Sequence, residues 1–358
     1  MSTTSRYVVP TEGLDWEVPQ SFATSFRWEY TDGRESLLAL YEKGKRNQWN
    51  AAERIDWNQE LDPENPEQLP DESMPIFGSE PYRRMTAAER VRARTHFQAW
   101  QLSQFLHGEQ GALLCTAKIV QQVPAIDAKF YAATQVIDEA RHVEAYSRLL
   151  HEKFQLTYPI TPTLKSLLDN VLSDSRWDMT YLGMQVLIEG LALAAFAMIR
   201  DQAQHPLAAA VNAYVMQDEA RHVAFGRLTL RDYYPQLTQK ERDEREEFAA
   251  EACFTMRDRF GAEEVWAALG LPVDECVAYM LQSEFMKHYR MALFTRIVPV
   301  MKDIGLWGEK IRAAYAQMGI LDLARTNLGE VAQQDERVAE EFDARRAEVE
   351  RVANSAIV

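Results

Sequence analysis

Cysteine is scarce in this chain: Cys115, Cys253 and Cys276 are the only three in 358 residues. They form no Cys-x-x-Cys pair and their number is odd. That excludes a thiolate zinc or iron–sulfur site and a disulfide framework, and it fits a reducing cytoplasm. An excess of basic residues is also missing. Lys and Arg number 39 against 54 Asp and Glu, a net charge of −15, which argues against nucleic acid as a partner. No apolar stretch follows a basic start within residues 1–20, so no secretory signal is expected. No segment shows the alternation of a half-buried strand, and the chain reads all-α. The most apolar run, Leu182–Ile199, has Glu189 in its middle. A lone carboxylate at the centre of a membrane span is costly, so the run reads as a buried bundle helix and no membrane span is expected.

What is present is enough apolar material, 47% of residues, for a sizeable core in one large domain or two smaller ones. Residues 1–35 scatter aromatics (Tyr7, Trp16, Phe22, Phe26, Trp28, Tyr30) without a period and read as an irregular arm packing on the body. A short helix is expected over 36–45. Residues 58–81 hold Pro63, Pro66, Pro70, Pro75 and Pro81 among many acids and read as an extended surface segment. Thr86-Ala-Ala-Glu89 is a capping box that opens a long helix to about Gln122. Pro124 suits the start of a second helix running to Phe154, antiparallel to the first. A crossover over 155–173 holds a short helix at 163–172. A third long helix spans about 174–202, and Pro206 opens a fourth to about Tyr233. Beyond a second capping box, Thr238-Gln-Lys-Glu241, helices are expected near 239–259, 273–298, 304–318 and 331–353, the last strongly charged and solvated. The division expected is an arm and Pro-rich segment over 1–85, a four-helix bundle over 86–235 and accessory helices of the same domain over 236–358.

Two copies of one phrase organise the bundle. Residues 138–144 read Asp-Glu-Ala-Arg-His-Val-Glu and residues 218–224 read Asp-Glu-Ala-Arg-His-Val-Ala. Each contains Glu-x-x-His, Glu139 with His142 and Glu219 with His222, and residues three apart share a helix face. Glu109 precedes Glu139 by 30 residues, and Glu189 precedes Glu219 by the same 30. All four Glu lie in apolar surroundings, where an isolated charge is rarely buried. Four inward-pointing Glu and two His form the ligand set of a dinuclear carboxylate site in a four-helix bundle. Two divalent ions would balance the four carboxylates, with neutral imidazoles completing the shell. Without metal, four facing carboxylates could not all stay ionised. Carboxylate and imidazole donors suit iron or manganese.

On these residues the sequence resembles the ferritin-like di-iron carboxylate proteins over roughly residues 40–235. It looks most like their oxygen-activating branch: multicomponent monooxygenase hydroxylases, ribonucleotide reductase small subunits and the related ligand-binding oxidases. The resemblance implies a ferritin-like four-helix bundle with a long crossover, extended by C-terminal helices and an N-terminal arm. It implies two Fe ions, or an Mn/Fe pair, held by Glu109, Glu139, His142, Glu189, Glu219 and His222, with O2 as co-substrate. A metal-bound His usually donates its second ring N–H to a carboxylate. By resemblance the pairing runs crosswise, Asp218 to His142 and Asp138 to His222, with Arg141 and Arg221 offsetting those acids. Trp49 resembles a reductase Trp that bonds the acid behind the metal and relays electrons; a packing anchor is the other reading. Tyr146, one turn after His142, matches the radical-tyrosine position, or is simply core.

Some features depart from these relatives. Glu109 stands where many reductase subunits use Asp, and Ala344–Val358 contains no tyrosine. Leu193 replaces the Thr of the multicomponent hydroxylases. Arylamine N-oxygenases add a third His one turn before the last ligand Glu, where this chain has Val215, so their seven-ligand site is not expected. Phe105, Ala112, Leu113, Val186, Ala192, Leu193 and Phe196 lie one turn or so from the ligands and would line an apolar pocket for a hydrophobic or aromatic substrate, or else fill the core. The function expected is O2-dependent hydroxylation, N-oxygenation or desaturation of such a substrate, with electrons from a ferredoxin or flavin reductase. A radical-generating or ligand-binding oxidase and a ferritin-like iron store or peroxide scavenger are the rivals. A homodimer is left open.

Overall fold

The computed structural model describes residues 22–26, 30 and 33–355. Among them there is no strand, and the order is helical throughout. α1 (Glu35–Arg46) leads in. α2 (Ala87–Gln122) starts at the expected capping box: Glu89 N donates to Thr86 Oγ1 at 3.3 Å, and Thr86 N donates to the Glu89 carboxylate at 2.8 Å. Two backbone donors that the first helical turn would leave unpaired are thereby satisfied. α3 (Ile126–Arg148) folds back along α2. Pro124 lies just before its extended cap residue Ala125 rather than inside it. α4 (Pro162–Ser173) forms the crossover. α5 (Trp177–Gln202) and α6 (Pro206–Tyr233) make the second antiparallel pair. α5 begins after residue 174, because Asp174 folds onto Arg176 N and Nε at 2.8 and 3.1 Å in a local turn.

Two stretches widen into π-helical turns: Leu149–Phe154 at the end of α3, and Leu182–Ile188 inside α5, ending at Glu189. A π turn shifts the register of everything after it and tends to mark functional positions. α6 presses closely on the second of these. A Cβ at Gly226 would lie 2.6 Å from Gln185 Cβ, so only glycine fits there.

The C-terminal part is more broken than its periodicity suggests. α7 (Gln239–Asp258) follows its capping box, and a short helix, Glu263–Ala268, comes next. The single helix expected over 273–298 is three: α8 (Val273–Gln282), α9 (Glu284–Ala292) and α10 (Ile297–Asp303). Ser283 ends α8 in extended geometry and caps α9 through Met286 N. α11 (Glu309–Gln317) starts late because Gly305 adopts φ +84°, open to glycine and costly for other residues. α12 (Leu328–Ser355) closes the chain. It is not merely a solvated helix: Asp335 is buried in ion pairs with Arg200 and Arg296, and Asp343 pairs with Arg54 at 2.6 Å.

The main core runs from Leu37 through the bundle to Ile320 and wraps the four long helices. A smaller cluster joins Met74, Ile76, Tyr82 and Trp100 to Tyr158, Trp266 and Met280. The Pro-rich stretch is therefore not a surface segment throughout: Pro66, Glu67, Met74 and Ile76 are buried. Of the arm, Ser25 N donates to Gln121 O at 2.8 Å, and Phe26 and Tyr30 are largely exposed. Tyr7, Trp16 and Trp28 lie outside the described residues. α5 is long and apolar enough to cross a membrane, yet 78% of its most apolar window is buried inside the protein.

Candidate metal centre

Each long helix of the bundle delivers one carboxylate to the same interior point. Glu109 lies midway along α2, Glu139 and His142 on α3, Glu189 at the end of the π turn in α5, and Glu219 and His222 on α6. All six are at most 5% exposed. Two overlapping groups of possible ligand atoms, each within 4.8 Å, are Glu109, Glu139, His142 and Glu219, and Glu139, Glu189 and His222. His142 Nδ1 stands 3.2 Å from Glu109, 3.4 Å from Glu139 and 3.1 Å from Glu219 oxygens. His222 Nδ1 stands 3.1 Å from Glu139 and 3.3 Å from Glu219. Glu139 and Glu219 thus lie between both imidazoles, while Glu109 belongs to the His142 side and Glu189 to the His222 side.

The donor set fits a pair of divalent ions. Glu139 Oε2, Glu189 Oε2, both Glu219 oxygens and His222 Nδ1 are buried and make no hydrogen bond. Buried polar atoms seldom lack partners, and oxygen and imidazole nitrogen converging in this way are hard-cation donors.

The surrounding shell holds the imidazoles in place. His142 Nε2 donates to Asp218 Oδ2 at 3.1 Å, and His222 Nε2 donates to Asp138 Oδ2 at 3.2 Å. With each Nε2 so used, each Nδ1 faces the carboxylates. Arg141 bonds Asp138 and, at 2.8 Å, Asp218. Arg221 bonds Asp218 and, at 3.4 Å, Asp138. Trp49 Nε1 donates to Asp218 Oδ2 at 2.8 Å. Its neighbour Gln48, absent from the sequence-based set, donates to Asp138 Oδ1 at 2.7 Å and accepts from Arg141 at 2.8 Å. Gln48 and Trp49 therefore serve the two acids in matching ways.

Electrostatics separates the six. Burial, and then the Glu219 carboxylate, pushes Glu109 up to about 8. Burial and the facing Glu219 and Glu139 carboxylates push Glu189 well above the usual range. Burial would raise Glu139 too, but the His222 and His142 imidazoles hold it low. Burial likewise opposes charge on both imidazoles, yet the hydrogen bonds of His142 to the Asp218 and Glu109 oxygens raise it strongly, as the Glu139 and Glu219 charges raise His222. Without metal, protons replace the missing positive charge.

Gln135 is a further residue that motif reading did not find. One turn before Glu139, its amide Nε2 donates to Glu139 Oε1 at 2.9 Å and Glu189 Oε1 at 3.0 Å. Val215 holds the corresponding place before Glu219 and is wholly buried. Tyr146 is buried beside the rings of Phe105 and Phe196, 5.9 and 5.8 Å away, and its hydroxyl donates to Asn212 Oδ1 at 3.1 Å. Burial, with the Glu109 and Glu219 charges, raises its phenol well above the usual value. Phe105 and Phe196 meet edge to face at 4.7 Å. Of the expected pocket residues, Phe105, Ala112, Val186, Leu193 and Phe196 are buried. Leu113 and Ala192 keep part of their surface exposed.

A family model described as p-aminobenzoate N-oxygenase AurF matches residues 30–305. The chain belongs to this family. Membership in the AurF family and the buried carboxylate–imidazole cluster together make it a di-iron oxidoreductase that uses O2. No curated protein matches the chain. Among solved structures, one variant of an R2-like ligand-binding oxidase with an anaerobically reconstituted Mn/Fe cofactor is 18% identical, with TM-score 0.45, covering 79% of this chain and 96% of that one. Another variant of that oxidase is 17% identical, with TM-score 0.46, covering 79% and 100%.

Proposed function

We propose that Glu109, Glu139, His142, Glu189, Glu219 and His222 hold two iron ions and that the protein N-oxygenates or hydroxylates an aromatic substrate. The observation that supports this reading best is that Glu139 and Glu219 each lie within 3.4 Å of both imidazoles, so that these two carboxylates would serve both ions of a pair. Bound there, the ions supply the site at which O2 is reduced and substrate oxidised. For an arylamine, the amine, O2, two electrons and two protons give a hydroxylamine and water. The electrons come from an outside donor, a ferredoxin or flavin reductase, in the cytoplasm.

The protein's own residues supply the rest. Asp138 and Asp218 fix the imidazole orientations, Arg141 and Arg221 balance those acids, and Gln135 keeps Glu139 and Glu189 apart in defined directions. The aromatic side chains Phe105, Tyr146 and Phe196 pack against one another and exclude water from the cluster.

The test adds Fe(II) anaerobically to metal-free protein and mixes it with O2 in rapid flow, for wild type and Glu219→Ala. Arylamines such as 4-aminobenzoate are then supplied and products identified. A transient absorption lost in the variant, with an oxidised amine as product, is expected. A persistent tyrosyl signal abolished by Tyr146→Phe would favour the radical-generating oxidase instead. Absence of stoichiometric iron binding would refute the ligand assignment.

A further inference from the structure

In a chain where 26% of residues are charged, one outer face of the bundle is apolar. On α3 the exposed and partly exposed positions include Ile126, Phe130, Ala133, Ile137 and Ala140. Their three- and four-residue steps put them in one stripe, on the side of the helix away from Glu139 and His142. Ile137, at 57% exposure, keeps more than half of its surface in solvent. α2 lies beside α3 and adds Leu114, 52% exposed, with Leu113 and Ala117 partly exposed next to it. On the other flank α1 adds Leu38, also exposed, and Tyr41, whose ring stacks on Phe130 at 5.6 Å. Single exposed apolar side chains are ordinary; a contiguous band of them marks a contact surface.

The band is large enough for a protein partner. The stripe from Ile126 to Ala140 is about 20 Å long. Three helices at about 10 Å spacing make the band on the order of 600 Å² in projection, against about 800 Å² of accessible surface per partner in a standard interface. Its chemistry suits a copy of the same chain. Between Lys129 and Glu144 every outward position of α3 is uncharged, so a different protein would find no charge there to set its register. A two-fold axis through the point between Val136 and Ile137 supplies that register. It lays α3 antiparallel on the partner's α3. Ala133 then meets the partner's Ala140, and two small side chains let the helices approach closely. Lys129 meets the partner's Glu144, once at each end of the contact. Lys129 Nζ donates to Val120 O and Gln121 O at 2.8 and 3.2 Å, which fixes the ammonium at the end of α2 with a third N–H to give. Glu144 is exposed at the opposite end.

We propose that the outer face of α2 and α3 is the contact between two copies of this chain, paired antiparallel about Ile137 with Lys129 of each copy against Glu144 of the other. α2 and α3 carry Glu109, Glu139 and His142 toward the bundle interior. The two centres of the pair therefore stand back to back, each held by helices that the contact braces. The pairing uses only the outer sides of these helices and is independent of which substrate the centres oxidise.

The experiment is sedimentation of the full-length protein at micromolar concentration. Wild type is expected to run as a dimer. Ile137→Glu buries an unpaired charge in the contact and should raise the dissociation constant about 100-fold or more. Leu114→Glu, on the other helix, should do the same, and an unchanged circular dichroism spectrum shows that each variant is folded. Lys129→Glu should weaken the dimer about tenfold, and adding Glu144→Lys should restore it. Within one chain these two residues lie about 22 Å apart along α3, so restoration acts between copies. The native cysteines are all buried, so Ile137→Cys adds a selectively reactive thiol. Mild oxidation should link two copies through it, because the axis brings the two thiols within disulfide reach. Leu281→Cys, exposed on α8, should give no such link. A dimer that persists in folded Ile137→Glu and Leu114→Glu, or an Ile137→Cys protein that does not cross-link, would overturn the assignment. A double reversal no better than Lys129→Glu alone would overturn the two-fold register. A monomeric wild type would overturn the pairing altogether: fast maleimide labelling of Ile137→Cys would then mean that the face takes a different partner, and slow labelling that residues 1–21 of the same chain cover it.

Discussion

The indole N–H of Trp49 donates to Asp218 Oδ2 at 2.8 Å, joining residues 169 apart in sequence. The same oxygen accepts from His142 Nε2. A side chain from the segment before the bundle therefore helps decide how an imidazole at the centre is held. Trp49→Phe keeps the aromatic packing and removes only this donor. Metal affinity should fall about 10–100-fold, the usual effect of losing a partner behind a metal-bound His, while the circular dichroism spectrum stays unchanged. Equilibrium dialysis with Co(II) or Fe(II) measures it. Unaltered affinity would leave Trp49 as a packing residue.

The two imidazoles share Glu139 and Glu219 but not Glu109. Glu219→Ala should therefore abolish stoichiometric binding of both ions. Glu109→Ala should retain about one equivalent, on the His222 side, with affinity reduced at the other site. Metal analysis after gel filtration separates the two cases, and equal loss in both variants would contradict the shared geometry.

Val215→His places an imidazole where the arylamine N-oxygenases carry their third His. Val215 is wholly buried, so in the metal-free state the new polar group costs about 1–3 kcal/mol if unpaired. If the ring reaches an ion, metal addition should raise the melting temperature by more in the variant than in wild type. An equal rise in both would show that the ring points elsewhere.

Glu67 gives metal-free stability a defined pH slope. Burial moves its pKa from 4.5 to about 8, so folding takes up a proton between these values. The stability associated with the protonated group is full below about pH 4.5 and is lost as pH rises through 8. The neighbouring phenols, Tyr146 and Tyr289, are both raised above their ordinary values and stay neutral in this window; His205 is the other titratable neighbour, bonded through its backbone. Glu109, His142 and His222 are also raised and slope in the same direction, but they remain in Glu67→Leu. The melting temperature of wild type minus that of Glu67→Leu should therefore become more negative between pH 5 and pH 9, by about 2–4 °C per kcal/mol. A constant difference would mean that Glu67 is satisfied in the folded state.

The four bundle helices were legible because their signals are local: a capping box at Thr86, Pro206 at a helix start, and apolar periodicity between. The convergence of Glu109, Glu139, His142, Glu189, Glu219 and His222 was legible because a helix face repeats every three or four residues and the spacing occurs twice. Gln48, Gln135 and Glu67 were not. Gln48 meets Asp138 from 90 residues away, and nothing in its own neighbourhood announces that. Glu67 lies among prolines and acids whose composition reads as solvated; only the tertiary fold buries it. The breaks within 273–298 turn on a serine cap and a few loop residues, too slight against a continuous apolar pattern.

The π turn at Leu182–Ile188 has an evolutionary consequence. Because the direction of Glu189 depends on one residue's worth of extra backbone, removing a residue there would swing that carboxylate by roughly 100°, one helical step, while leaving every side chain of the centre chemically intact. Length changes in α5, rather than substitutions at the ligands, are thus an abrupt way for this lineage to lose or re-aim one side of its centre.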